Sequence, residues 1–396
     1  MRWPSLLPVF RFPRPSGPYA VGTRTFHWVD QGRAELFSPD LHARRELLAQ
    51  IWYPAQAVPG ARPAPYLPDA DAFIAAFARL HRKPAFVLRA VKRVATNAVA
   101  GAPVAGDQAS YPALIFLAGT TGFRQMNTFQ AEELASHGYV VVGLDQPYVA
   151  ASVVFPDGRQ VTISSIEQLQ PLIRASYLPA EPAPLLHGRP VPEGSVVPFL
   201  ARDVSFALDQ LAALSQADQA LAGRLDLARA GVFGVSLGGI VAAEACLREP
   251  RLRACLMLDA PMPLDVVRAG LRQPCMWITR DAEVMRLERT RAGGWPEIEI
   301  EAHLRSMRAV YQRLPGDGYF VQVPGMFHSN FTDLPAWLPL LPLLGLAGPI
   351  KVRRAHAIVN AYALAFFDRQ LRGRPADCFE QLSARFPEVR CEARRP

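Results

Sequence analysis

Ala230-Gly231-Val232-Phe233-Gly234-Val235-Ser236-Leu237-Gly238-Gly239-Ile240-Val241-Ala242-Ala243-Glu244-Ala245 is the stretch on which the fold turns. Ala230–Phe233 is a short apolar run of the kind found in buried strands, and the residues after Ser236 are rich in helix formers. Between them lies a G-x-S-x-G pentapeptide. A strand, a tight turn and a helix around it would hold the serine in a strained backbone conformation, so that its hydroxyl projects from the end of a sheet. A Cβ at Gly234 or Gly238 would collide with the neighbouring strand or helix. The bare pentapeptide arises easily by chance in an Ala- and Gly-rich chain. Its flanks are what make Ser236 a candidate nucleophile.

Working outward, Ala113–Leu117 and Tyr139–Leu144 are fully apolar runs separated by a helical stretch around residues 128–137. A further helix is expected at about residues 202–215, before the serine strand. Ala254–Leu258, Met276–Thr279 and Tyr319–Val323 supply three more strands with helical material between them. Continuous apolar strands alternating with helices predict an α/β architecture: a mostly parallel central sheet flanked by helices. No break separates the halves, so residues 1–396 form one expected domain. Within it, residues 1–45 read as an extended, proline-rich N-terminal arm. Residues 161–200 are proline-rich and lack periodicity, as expected of a cap or lid excursion. Residues 71–98 read as helical with a break at Pro84. Val87, Leu88, Val91 and Val94 in the second half oppose Arg89, Lys92 and Arg93. Such a basic amphipathic helix over 85–98 suits peripheral contact with a lipid surface, or packing on the sheet with a solvated arginine face.

The composition excludes several classes. Half of the 396 residues are hydrophobic and a fifth are charged, enough for a large core and too apolar for wholesale disorder. The net charge is +8, yet only Lys83, Lys92 and Lys351 are lysines, leaving 40 of the 43 basic residues as arginine. No basic block interleaved with aromatics occurs, so no nucleic-acid partner is expected. The five cysteines (Cys246, Cys255, Cys275, Cys378, Cys391) lack metal-ligand spacing. A bridge between Cys378 and Cys391 is permitted but not required. Residues 1–12 do not form a signal peptide, and the apolar stretch Leu334–Ile350 is broken by four prolines. A soluble, cytoplasmic protein is expected, with peripheral membrane contact allowed.

Serine needs an adjacent base to take its proton and an acid to orient that base. On α/β-hydrolase folds the chain order is Ser, Asp or Glu, then His. Three histidines follow Ser236. His303 falls within a helical pattern over 297–313 and His356 in the C-terminal helix, whereas His328 follows a strand and the turn Pro324-Gly325-Met326-Phe327. A loop histidine at the carboxyl end of the sheet can reach the nucleophile, so His328 is the expected base. Two aspartates compete for the acid. Asp281 adjoins Arg280 and Glu283 in a polar turn where solvation suffices. Asp259 follows an unbroken apolar run, where a carboxylate is costly without a partner, and this favours it. The oxyanion hole is expected from the backbone N–H of Leu237 and one from the loop Ala118-Gly119-Thr120-Thr121-Gly122. Thr120 is the candidate second donor, with an ordinary strand-to-helix turn as the competing assignment.

With these residues placed, the chain resembles the platelet-activating-factor acetylhydrolase family of α/β-hydrolases from about Gly17 to Gly373. The resemblance is carried by Pro18-Tyr19-Ala20-Val21-Gly22-Thr23, Ile51-Trp52-Tyr53-Pro54, Gly119–Arg124, Leu134-Ala135-Ser136-His137-Gly138-Tyr139, the serine elbow, Leu258-Asp259-Ala260 and Phe327–Asp333. It implies an acid on the strand directly after the serine, matching Asp259, and an oxyanion donor at Thr120. It also implies hydrolysis of an ester with a short or oxidised acyl chain, on a small molecule or a phospholipid. Family members often carry His-Gly in the oxyanion loop and histidine before the nucleophile; here those positions are Ala118-Gly119 and Val235. The expected protein is a serine esterase with no cofactor and no metal. A general carboxylesterase or polyester hydrolase, an acyltransferase using the same acyl-enzyme, and an idle hydrolase-fold binding scaffold are the rivals.

Overall fold

A computed structural model describes residues 10–163, 165–180, 182–375 and 378–395. The strands are β1 (Ala20–Ala34), β2 (Arg44–Ala55), β3 (Val99–Ala100), β4 (Tyr111–Leu117), β5 (Val140–Asp145), β6 (Ser152–Val154), β7 (Gln160–Thr162), β8 (Leu185–Leu186), β9 (Arg189–Pro190), β10 (Leu225–Val235), β11 (Leu252–Leu258), β12 (Cys275–Thr279), β13 (Gly318–Gln322) and β14 (Arg390–Arg394). The first six helices are α1 (Ala70–Leu80), α2 (Ala85–Leu88), α3 (Thr128–Ser136), α4 (Ile166–Arg174), α5 (Val197–Ala217) and α6 (Leu237–Arg248). Then follow α7 (Leu264–Ala269), α8 (Ala282–Ala292), α9 (Glu297–Tyr311), α10 (Leu334–Trp337), α11 (Val352–Arg372) and α12 (Cys378–Arg385).

Ten strands form one sheet in the order β14-β13-β12-β11-β10-β4-β5-β2-β1-β3. From β5 to β13 every pairing is parallel, while β1–β2, β2–β5 and β13–β14 are antiparallel. Parallel strands need crossovers, and the crossovers lay helices on both faces. The alternation along each strand then divides the core in two. Ile115, Val232, Met257 and Trp277 point to the face packed by α5 and α6. Leu114, Phe233, Leu256 and Ile278 point to the face packed by α11. This is why the central strands read as unbroken apolar runs: neither face is wet. The architecture is the expected mostly parallel sheet flanked by helices.

Three expectations need correction. Residues 20–34 are no arm: β1 is a 15-residue strand paired with β2 along nearly its whole length. Residues 85–98 are no amphipathic helix: α2 is a single turn, a 3₁₀ stretch covers Arg89–Arg93, and the chain then runs extended. Tertiary bonds decide this. Ala95 N–H donates to Phe10 O and Ala95 O accepts from Phe12 N–H, while Asn97 and Ala98 N–H both donate to the Glu132 carboxylate at 2.8 Å. The stretch 161–200 holds more structure than its composition suggests: α4, with Pro171 inside it, and the β8–β9 hairpin.

Among the described residues no helix is long and apolar enough to cross a membrane. Cys246, Cys255 and Cys275 are buried free thiols and Cys391 is a free thiol, while the Cys378 side chain lies outside the described residues.

Candidate active site

Ser236 sits between β10 and α6 with φ 56° and ψ −123°, a left-handed conformation that a serine adopts only when its surroundings force it. Its N–H donates to Leu258 O at 2.9 Å, tying the turn to the end of β11. The flanking glycines are needed for the expected reason: a Cβ on Gly238 would overlap the Leu117 carbonyl at the end of β4, and one on Gly234 would overlap the backbone of Gly238. Leu237 is the first residue of α6, so its N–H has no acceptor within the helix. The loop after β4 closes over the turn. A Cβ on Gly119 would stand 3.1 Å from Ser236 Cβ and 3.6 Å from its Oγ, which puts the Gly119–Thr120 backbone against the serine. The next amide is already engaged: Thr121 N–H donates to Val149 O at 3.0 Å, at a positive φ of 59°. His81, which the sequence did not single out, lies 3.1 Å from Thr121 Oγ1.

Asp259 and His328 meet. Asp259 follows β11, is fully buried, and holds a positive φ of 48°. His328 opens a short 3₁₀ turn after β13, and its Nδ1–H donates to Asp259 Oδ2 at 2.6 Å. The contact fixes the tautomer, since a carboxylate only accepts, and leaves Nε2 as the basic nitrogen. Thr279 Oγ1 donates to the other carboxylate oxygen at 3.1 Å. Burial alone would push the Asp259 carboxyl up. The Arg280 charge, then the His328 hydrogen bond, hold it well below the usual carboxylate range.

Arg280 was missed. It is buried, not solvated: its Nε–H donates to Asp259 Oδ2 at 2.8 Å, and its guanidinium also pairs with Glu288. The rule that picked out Asp259 applies equally to Arg280, a charge placed right after the apolar strand β12. Reading Arg280-Asp281 as one solvated turn hid it. Asp281 itself caps α8, accepting from Val284 N–H at 2.9 Å, and makes no part of this cluster.

Two further side chains close the back of the site. His303 lies in α9 as expected, but its Nε2 comes within 3.7 Å of Asp259 Oδ1. Burial pushes its imidazole down to about 3, so it stays neutral and leaves the carboxylate to His328 and Arg280. Trp295 packs edge-on against His328 (centroids 5.4 Å apart) and tilted against His303 (5.1 Å), with the Arg280 guanidinium 5.2 Å from its ring centroid. His356 is elsewhere, bonded to Thr332 O and stacked on Phe129. Among the described residues no cluster of three or more His, Cys, Asp or Glu is arranged for a metal ion.

All the site loops leave the carboxyl ends of β4, β10, β11, β12 and β13, the edge at which open parallel sheets hold their ligands. Residues 7–158 match the family model for platelet-activating factor acetylhydrolase, isoform II, a region that includes the Gly119 loop and ends before Ser236. A probable 1-alkyl-2-acetylglycerophosphocholine esterase of Arthroderma benhamiae is 23% identical over 96% of this chain and 93% of its own length. A platelet-activating factor acetylhydrolase of Canis lupus familiaris is 22% identical over 66% of this chain and 57% of its own. Among solved structures, a ferulic acid esterase from Streptomyces cinnamoneus superposes with a TM-score of 0.72 at 28% identity, covering 97% of this chain and 99% of that one. The chain thus has the α/β architecture of an esterase fold and is similar, over residues 7–158, to the platelet-activating-factor acetylhydrolase family.

Proposed function

We propose that the protein is a serine esterase that hydrolyses carboxylic esters through an acyl-enzyme. Ser236 Oγ attacks the ester carbonyl while His328 Nε2 takes its proton. Asp259, bonded to Nδ1, orients the ring and stabilises the imidazolium. The negative charge on the carbonyl oxygen is held by the N–H groups of Leu237 and Thr120, backed by the N-terminal dipole of α6. Collapse expels the alkoxide, which leaves with the proton from His328. The same ring then deprotonates a water that cleaves the acyl-enzyme and frees the acid. Every proton and electron pair is handled by these side chains, so the cycle requires no metal or cofactor.

The observation that carries this reading is the 2.6 Å contact of Asp259 and His328 at the same sheet edge as a strained serine. Strain of this kind is retained where surrounding structure over-determines it, and it clusters at functional sites. The names of the relatives point to short-acyl esters, including acetyl esters of alkyl phospholipids. A broader carboxylesterase is the second reading, favoured by the likeness to a ferulic acid esterase along nearly the whole chain.

Release of p-nitrophenol from acetate, butyrate, octanoate and palmitate esters tests both. Activity that vanishes in Ser236→Ala and falls with chain length supports a short-acyl esterase. A flat chain-length profile supports the broader one. Activity surviving in Ser236→Ala, or none in wild type, rejects the nucleophile.

A further inference from the structure

We infer that Arg280 and Glu288 are positioning residues that close a ring around His328 and set its proton affinity. The inference rests on the serine-esterase reading above only for its kinetic consequence; the ring itself is geometric. Starting from His328, Nδ1–H donates to Asp259 Oδ2 at 2.6 Å, and the same oxygen accepts Arg280 Nε–H at 2.8 Å. The far side of the guanidinium pairs with Glu288. Glu288 in turn accepts the backbone N–H of His328, at 3.2 and 3.3 Å to its two oxygens. The circuit therefore returns to the residue where it began, holding both the ring and the backbone of His328.

Four elements contribute: the Asp259 turn after β11, the Arg280 turn after β12, Glu288 from α8, and the 3₁₀ turn of His328. His303 from α9, buried and neutral, is the remaining titratable group facing Asp259. The Arg280 guanidinium lies over the Trp295 ring, and the Arg280–Asp259 pair is buried. A planar guanidinium suits this task because its fork of N–H donors can serve two carboxylates at once.

The charges have a definite consequence. Asp259 and Glu288 both stabilise a protonated His328, and Arg280 opposes it. With one arginine between two carboxylates, the imidazolium feels one net negative charge instead of two. A base so tempered returns its proton to the leaving group more readily than one held by an uncompensated pair of carboxylates. Removing Arg280 should therefore raise the pH at which His328 titrates, and neutralising Glu288 should lower it. A purely packing role predicts no such opposition.

The test is an NMR titration of the His328 imidazole in wild type, Arg280→Gln and Glu288→Gln, assigned with His328→Gln. It needs no substrate, so its result is independent of whether the esterase reading survives Ser236→Ala. The midpoint is expected to move up in Arg280→Gln and down in Glu288→Gln, each by roughly half a pH unit or more. With p-nitrophenyl acetate, kcat should fall about ten- to a hundredfold in Arg280→Gln with KM little changed. If Arg280→Gln fails to fold, Glu288→Gln and Arg280→Lys carry the test. The lysine keeps the charge, so its midpoint should stay near wild type while kcat drops with loss of the fork. A midpoint in Arg280→Gln or in Glu288→Gln that coincides with wild type, or midpoints that move in the same direction in the two, overturn the inference.

Discussion

At the scale of single residues, the acid assignment is the sharpest exposure of the proposed mechanism. Asp259→Asn removes the acceptor that orients His328 and is expected to lower kcat by about a thousandfold or more. Asp281→Asn should leave kcat near wild type, because Asp281 only caps α8. Steady-state kinetics on the pair decides it, and an inactive Asp281→Asn would reverse the assignment. The pH profile follows from the same geometry. Asp259 is ionised far below neutral pH because Arg280 and His328 hold its carboxyl down. The acid limb of kcat/KM therefore reports His328 alone: activity rises with pH as the imidazolium loses one proton, with a limiting slope of one. A slope of two would mean that a second group titrates with it.

Elements show where sequence patterning is reliable and where it yields to tertiary bonds. The α6 turn is over-determined by sterics: Gly238→Ala would press a methyl into the Leu117 carbonyl, which is backbone and cannot move aside. That substitution should separate α6 from β4, widen the gap between the Leu237 and Thr120 amides, and cut kcat more than KM. A side-by-side kinetic comparison with Gly316→Ala, whose added Cβ meets nothing within 4 Å, controls for glycine loss. Asp281→Ala tests the opposite extreme. Losing the cap of α8 should cost about 1 kcal/mol in chemical denaturation. The segment 85–98 was misread because apolar residues at helical spacing also satisfy an extended chain buried on one side. What sets its conformation is distant in sequence: Phe10, Phe12 and Glu132.

Glu132 also links an element to the stability of the whole molecule. It is buried in α3, and its carboxyl is pushed up to about 7 by desolvation, against three hydrogen bonds from Asn97 and Ala98. The native state thus holds this proton more tightly than the unfolded chain, where the ordinary value is 4.5. Its contribution is fully present below about pH 4.5 and is lost as pH rises through 7, on the order of 3 kcal/mol across that window. Urea unfolding at pH 5 and pH 8 should therefore show a larger fall in stability for wild type than for Glu132→Gln. An equal fall in both would mean that Glu132 is already charged at pH 5. The mixed sheet is pinned elsewhere by Arg45, fully buried between Glu35 and Asp203 at 2.8 and 2.6 Å. Removing that cation would take the ion pair from buried Glu35, while Asp203 keeps Arg33 and Gln146.

Apolar runs bounded by turns carried the parallel strands, and the G-x-S-x-G flanks carried the elbow, because both depend on neighbours within a few residues. Asp259 and His328 were legible for a related reason: a charge after a buried strand and a histidine on a loop beyond the last parallel strand each need a partner. The sequence did not reveal which charges would meet. Arg280, Glu288, His303 and Trp295 converge on Asp259 and His328 from separate elements, over separations of up to 69 residues between the two central partners. Local periodicity sets which face of an element is buried; only the register of β11, β12 and β13 sets which turns share one edge. That register, decided by packing across both faces of the sheet, is what assembles the site.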